Sequence, residues 1–165
     1  MKISATLDYA ATPHEVFAML ANEAFQTRKC AATGALSHTV SIIVQGDRTV
    51  IVSSRDLPTE DFPSFVQSLV GATVAITETQ DWGPAGTDGT REGKLTVDIA
   101  GAPIDLDGIL SLAPVGRGCV QTVEGDLKAR VPLFGGQIEK AAAPAIESAI
   151  NKEREVGQAW LASRE

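Results

Sequence analysis

At 165 residues, with 44% hydrophobic and 21% charged side chains, the chain has the composition of a folded domain rather than a disordered tail. A chain of this length can bury about two-thirds of its unfolded surface, so folding requires no metal or disulfide staple. Fourteen basic residues against 21 acidic ones leave a net charge of −7, which argues against binding to nucleic-acid phosphates and against docking on an anionic membrane.

The first segment alternates. Ile3, Ala5, Leu7 and Tyr9 fall on one side, and Lys2, Ser4, Thr6 and Asp8 on the other, the period of a half-buried strand. Thr12-Pro13-His14-Glu15 then starts a helix, with Thr12 as cap, Pro13 at the first helical position and Glu15 closing a capping box. Val16, Phe17 and Leu20 follow at helical spacing. Asn22 offers a second cap and Gly34 a second stop, so residues 13–33 read as two short helices with Phe25 pointing inward.

Residues 38–45 and 48–55 are rich in Val, Ile, Thr and Ser and are joined by Gly46-Asp47, a hairpin pattern. Pro58 and Pro63 bracket a break, and Phe65, Val66, Leu69 and Val70 mark a short helical insert ending near Gly71. Strands are then predicted over 73–82, 91–100, 104–113 and 118–131. Between them lie the Gly83–Gly89 loop, Gly101-Ala102-Pro103 and Pro114-Val115-Gly116. None of the eight prolines falls inside a strand in this reading. Short turns imply antiparallel neighbours, and alternation implies one covered face.

From Phe134 to Ser163 the pattern is helical, about 45 Å long at 1.5 Å per residue. Pro144 lies inside, which predicts a kink or break near Ala143. The expected architecture is α+β and a single domain over 1–165. About seven antiparallel strands curve around a long kinked C-terminal helix, in the order β-α-α-β6-α with a helical insert after the third strand.

Cys30 and Cys119 lie far apart and form no CxxC pair, and Lys2, Ser4 and Thr6 interrupt any early apolar run. No stretch approaches the ~20 apolar residues of a membrane span. These features read as a cytoplasmic protein with reduced thiols and no integral membrane segment. His14 and His38 lack neighbours at ligand spacing, so neither a metal nor a cofactor is expected. The Gly89–Leu95 segment resembles a phosphate loop only superficially. It has Leu95 where Ser or Thr would be needed, and it enters a strand. Asp105 and Asp107 share a sheet face opposite the leucines and read as solvated. Glu139, Glu147, Lys152, Glu153, Arg154 and Glu155 read as a solvated helix face, with Glu153 nearest the apolar stripe.

The whole chain resembles the START, polyketide-cyclase and birch-pollen-allergen superfamily (SRPBCC), whose helix-grip fold wraps a curved antiparallel sheet around a long terminal helix. The likeness rests on three stretches. They are the opening strand followed by Ala11-Thr12-Pro13-His14-Glu15-Val16-Phe17, the strand ending Asp81-Trp82, and Val131 to Glu139 leading into the last helix. Within the superfamily it is similar to an uncharacterised actinobacterial family. The resemblance implies a small hydrophobic or amphipathic ligand, lipid, sterol-like or polyketide-like, held between helix and sheet. It also implies that members divide among carriers, receptors and enzymes, so that fold alone does not select a role.

A cavity is expected because Ala141, Ala142, Ala143, Ala145 and Ala149 stand where larger side chains would fill the space under the helix. The competing reading is that alanine serves helix propensity and the layers close up. The candidate lining comprises Glu78, Gln80 and Trp82; Val97, Ile99, Leu106, Leu110 and Gln121; and Phe134, Ile138, Ala142, Ala145, Ile146 and Ala149. Glu78, Gln80 and Gln121 either orient a ligand, or lie where the strand leaves the covered region or a bulge re-aims it. Three roles follow: a carrier or binder of an apolar molecule, with no catalytic residues; a cyclase-, aromatase- or hydrolase-type enzyme using Glu78 or Tyr9 as acid–base group; or an interaction module with an exposed apolar patch. The chain could act alone or as a homo-oligomer.

Overall fold

Alternation along Lys2–Tyr9 (β1) buries Ile3, Leu7 and Tyr9, half-buries Ala5 and leaves Lys2, Ser4, Thr6 and Asp8 in solvent, in a computed structural model that describes residues 1–164. The predicted capping box forms at the start of α1 (Pro13–Leu20). Thr12 Oγ1 accepts the Glu15 amide at 3.2 Å, and Glu15 Oε1 accepts the Thr12 amide at 3.1 Å. Such a cap contributes about 1 kcal/mol. Asn22 caps α2 (Glu23–Ala32) by accepting the Ala24 amide at 2.9 Å.

A meander follows: β2 (Ser37–Gln45), β3 (Arg48–Pro58), the insert α3 (Ser64–Val70), β4 (Thr73–Trp82), β5 (Arg91–Ile99), β6 (Ile104–Val115) and β7 (Gly118–Ala129). The last element is α4 (Gly135–Ser163). The seven strands form one antiparallel curved sheet in the order β1-β7-β6-β5-β4-β3-β2. Each strand of the meander pairs with its sequence neighbour, and β1 returns to pair with β7 from Lys2↔Asp126 to Tyr9↔Cys119. This is the α+β helix-grip arrangement read from the pattern.

Two details differ from expectation. Pro58 and Pro114 lie within strands. Pro58 is the last residue of β3. Pro114 pairs with Cys119 one step in from the two-residue turn, where the amide would point away from β7, so its missing donor removes no bond of that hairpin. Of the kink or break expected near Ala143, no break occurs, and α4 runs continuously through Pro144. Pro144 is exposed, which leaves the freed carbonyl of the preceding turn within reach of water.

Helix α4 packs most closely on β1, β7 and α2. Phe25 of α2 meets Trp160 edge-on at a centroid separation of 5.8 Å. The helix comes close to β1 at Gly157, where an added Cβ would sit 2.7 Å from Tyr9 Cε1 and 3.0 Å from Met19 Cε of α1. Gly157→Ala is therefore expected to destabilise the protein by about 1–3 kcal/mol through overpacking, measured as a lower urea midpoint with an unchanged slope.

Candidate functional site

Because α4 leans on β1 and β7, a space remains between it and the central strands. This cavity has a volume of about 480 Å³, within the range of roughly 300–1,000 Å³ usual for small-molecule sites. Its floor comes from inward positions of the sheet: Leu95, Val97 and Ile99 on β5, Leu106 and Leu110 on β6, and Val123 on β7. Its roof is the stripe Ile138, Ala142, Ala145, Ile146 and Ala149 of α4, with Ala141 beside it. The layers do not close up over the alanines. Phe62, Pro63 and Val66, around the start of α3, line one side, and no residue of α3 is itself buried.

One wall is charged. Lys29 projects from α2 and is 2% exposed. Its Nζ donates to Glu78 Oε1 at 2.9 Å and to Glu153 Oε2 at 3.3 Å, tying α2 to β4 and α4. Arg55 of β3, 6% exposed, places Nη1 4.0 Å from Glu78 Oε2. Gln80 Nε2 donates to Glu78 Oε1 at 2.7 Å, and Trp82 Nε1 donates to Gln80 Oε1 at 2.9 Å. Gln121 Nε2 donates to Glu153 Oε1 at 3.1 Å. The amide orientations are dictated by these partners, because reversing Gln80 or Gln121 would turn a carbonyl onto a carboxylate.

Burial alone would raise the Glu78 carboxyl, but the Lys29 ammonium and then the Arg55 guanidinium outweigh it and hold Glu78 at a pKa of about 2. Burial likewise acts to lower Lys29, and Glu78 and Glu153 reverse the effect, leaving the ammonium above its ordinary value. At neutral pH Lys29 and Glu78 are therefore ionised and paired with each other. Removing either sign from such a buried set is far more costly than the net stabilisation the intact set confers.

Twelve of the fourteen residues expected at the cavity lie on its surface: Glu78, Gln80, Val97, Ile99, Leu106, Leu110, Gln121, Ile138, Ala142, Ala145, Ile146 and Ala149. Trp82 and Phe134 lie elsewhere. Trp82 is fully buried beneath α1, edge-on to Phe17 at 6.0 Å, because β4 has by then passed the cavity. Phe134 directly precedes α4 and is 54% exposed, following Leu133, whose φ of 70° swings the chain outward. Glu78 does not mark the strand's exit from the covered region, and Gln121, 1% exposed, is not turned away by a bulge. Glu153 is not on the solvated face with its neighbours but is 8% exposed inside the cluster.

Lys29 and Arg55 are the site residues that sequence reasoning missed. Lys29 shares the buried stripe of α2 with Phe25, Gln26 and Cys30, and Arg55 continues the inward series Ile51 and Ser53. Tyr9, the other acid–base candidate, is not part of the cavity wall. Its hydroxyl is buried without a partner, and burial followed by Glu153 pushes the phenol above its ordinary value. Asp105 pairs with Arg130, and Asp107 is exposed. Among the described residues no cluster of three or more His, Cys, Asp or Glu side chains could hold a metal, and no helix is long and apolar enough to cross a membrane.

A curved antiparallel sheet gripping a long terminal helix is a START-like helix-grip fold. The solved START superfamily protein from Mycobacterium smegmatis has this fold at a TM-score of 0.56, with 14% identity and coverage of 97% of this chain and 98% of that one. The Zhui aromatase/cyclase from Streptomyces sp. R1128 shares it at a TM-score of 0.55, with 9% identity over 95% of this chain and 93% of that one. Residues 4–161 match the model of the family described as protein of unknown function (DUF2505), and the chain belongs to that family. The uncharacterized protein Rv0481c of Mycobacterium tuberculosis is 25% identical over 117 residues, which is 67% of this chain. The chain spans 64% of the length of that relative.

Proposed function

We propose that this protein binds a small, largely apolar molecule, lipid, sterol-like or polyketide-like, between α4 and the sheet, and acts as a carrier or receptor. The observation that supports this most directly is the cavity itself. It is open under an alanine stripe, floored by aliphatic side chains and provided with a cluster of inward polar groups on one wall. Apolar burial at about 25 cal/mol per Å² would supply the affinity, and the polar wall would set the orientation.

The enzyme reading has weaker support. Glu78 reaches the cavity, but a carboxylate held at a pKa of about 2 is a poor proton acceptor and is not a proton donor at neutral pH. Cys30 and Cys119 are free and buried, and burial raises the Cys119 thiol, which accords with a reducing compartment such as the cytoplasm.

Ala142→Phe tests the reading. The new ring would project into the space, so binding of the neutral dye Nile red is expected to weaken at least tenfold while the far-UV circular dichroism stays native. Unchanged dye affinity would place the dye outside this cavity and defeat the proposal. Native mass spectrometry of freshly purified protein is expected to show an added small-molecule mass that the variant lacks.

A further inference from the structure

The charges on the cavity wall cancel. Among the described residues, the charged side chains that line it are Lys29, Arg55 and Lys152 and Asp61, Glu78 and Glu153, three cations and three carboxylates. The ion-paired cluster balances by itself, with the buried Lys29 and Arg55 set against the partly buried Glu78 and the buried Glu153. A ligand bearing a full charge would therefore add an unanswered charge to a low-dielectric wall, which is strongly unfavourable.

The same wall nonetheless has unused hydrogen-bonding capacity. Arg55 Nε, a donor, and Gln121 Oε1, an acceptor, are buried and have no partner. Their residues are 6% and 1% exposed, and both line the cavity. A buried polar atom without a partner is destabilising until something bonds to it. The two atoms are of opposite kinds and stand on β3 and β7, on either side of the ion cluster. A hydroxyl both accepts and donates, so it can satisfy either atom without disturbing the balance. A carboxylate seated at Arg55 would face Glu78, whose Oε2 is 4.0 Å from Arg55 Nη1. An ammonium seated at Gln121 would share the cluster with Lys29.

Building on the ligand-binding reading above, we propose that the cavity selects an uncharged amphipath. Its apolar body would lie under the alanine stripe, and a hydroxyl-type head would bond Arg55 Nε or Gln121 Oε1. The carboxylate or amine of the same body would be disfavoured.

The test uses the full chain at pH 7.5, Nile red as reporter, and decan-1-ol, decanoate and decylamine as competitors below their aggregation limits. Decan-1-ol is expected to displace the dye at a concentration at least tenfold below either ion. Partition into any greasy site would also favour the alcohol, so the charge variants decide. Glu78→Gln leaves the cluster one positive charge in excess and is expected to shift the decanoate-to-decanol ratio at least tenfold toward decanoate. Arg55→Gln leaves one negative charge in excess and is expected to shift preference toward decylamine. Glu153→Gln repeats the first shift from a different element should Glu78→Gln fail to fold.

Ratios that stay constant across the folded variants would overturn the charge-balance proposal, as would decanoate prevailing on the unmodified protein. In either case dye binding would still stand, and with it the ligand-binding reading. Failure of Nile red to bind the unmodified protein at all would remove both.

Discussion

Replacing Lys29 with Met is expected to destabilise the fold by about 3–5 kcal/mol, the usual consequence of stranding buried carboxylates. Met matches the length of the lysine stem, so the change removes the charge while preserving most of the packing. Glu78 would keep the Gln80 amide at 2.7 Å and, as its only cation, Arg55 at 4.0 Å, and Glu153 would keep only the Gln121 amide at 3.1 Å. The pH dependence distinguishes this cause from simple loss of packing. Without the ammonium, the main counterweight to burial at Glu78 is gone and burial, the largest influence on that carboxyl, pushes it up, so the variant should gain stability as pH falls from 7 toward 5. A double variant that adds Glu153→Gln leaves Arg55 facing Glu78 in a balanced pair and should recover much of the loss at pH 7. Urea titrations across pH measure all three effects, and a Lys29→Met variant with a flat profile would show that the cluster does not carry the energy assigned to it.

The unmodified protein is expected to respond to acid in the opposite direction. Glu78 has a folded pKa of about 2 against an ordinary value of 4.5. A depressed carboxyl contributes stability that is fully present above its unfolded pKa and is lost as pH falls through its folded one. The window is therefore from about 4.5 down to about 2, and Glu78 alone contributes on the order of 2–3 kcal/mol across it. Glu15, Asp126 and Glu139, also held low by hydrogen bonds, lie at the surface and slope the same way. Glu78→Gln should be less stable than the parent at pH 7, because Arg55 and Lys29 lose a partner, yet show a shallower decline between pH 4.5 and 2.5. Equal slopes for the two proteins would remove Glu78 from this role.

The parts of this molecule that were legible in its sequence are those governed by local rules. Thr12, Pro13 and Glu15 announce the start of α1 by chemistry confined to four residues, and the same bonds are present in the structure. The meander was legible because period-two alternation reports a covered face irrespective of what covers it. The alanine stripe correctly located the roof of the cavity. Whether the roof would stand clear was not legible, since that depends on α4 leaning toward β1 and β7. The ion cluster was only half visible. Glu78, Gln80 and Gln121 betrayed themselves as polar residues on apolar faces. Lys29 and Arg55 carry the same signature, in the stripe with Phe25 and in the series with Ile51. A long basic side chain can reach water from such positions, so its place in the pattern does not by itself imply burial. Glu153 pairs with a lysine 124 positions away, a relation no local pattern contains.

The pairing of β1 with β7 bears on how the protein is made. Ile3, Leu7 and Tyr9 acquire their strand partners only when Gly125, Gln121 and Cys119 arrive, so a chain leaving the ribosome must carry the greasy β1 without its sheet neighbour until β7 has emerged. Closing so distant a contact places folding among the slower topologies, with times of about milliseconds to seconds. During that interval the nascent amino-terminal segment is an obvious substrate for a chaperone.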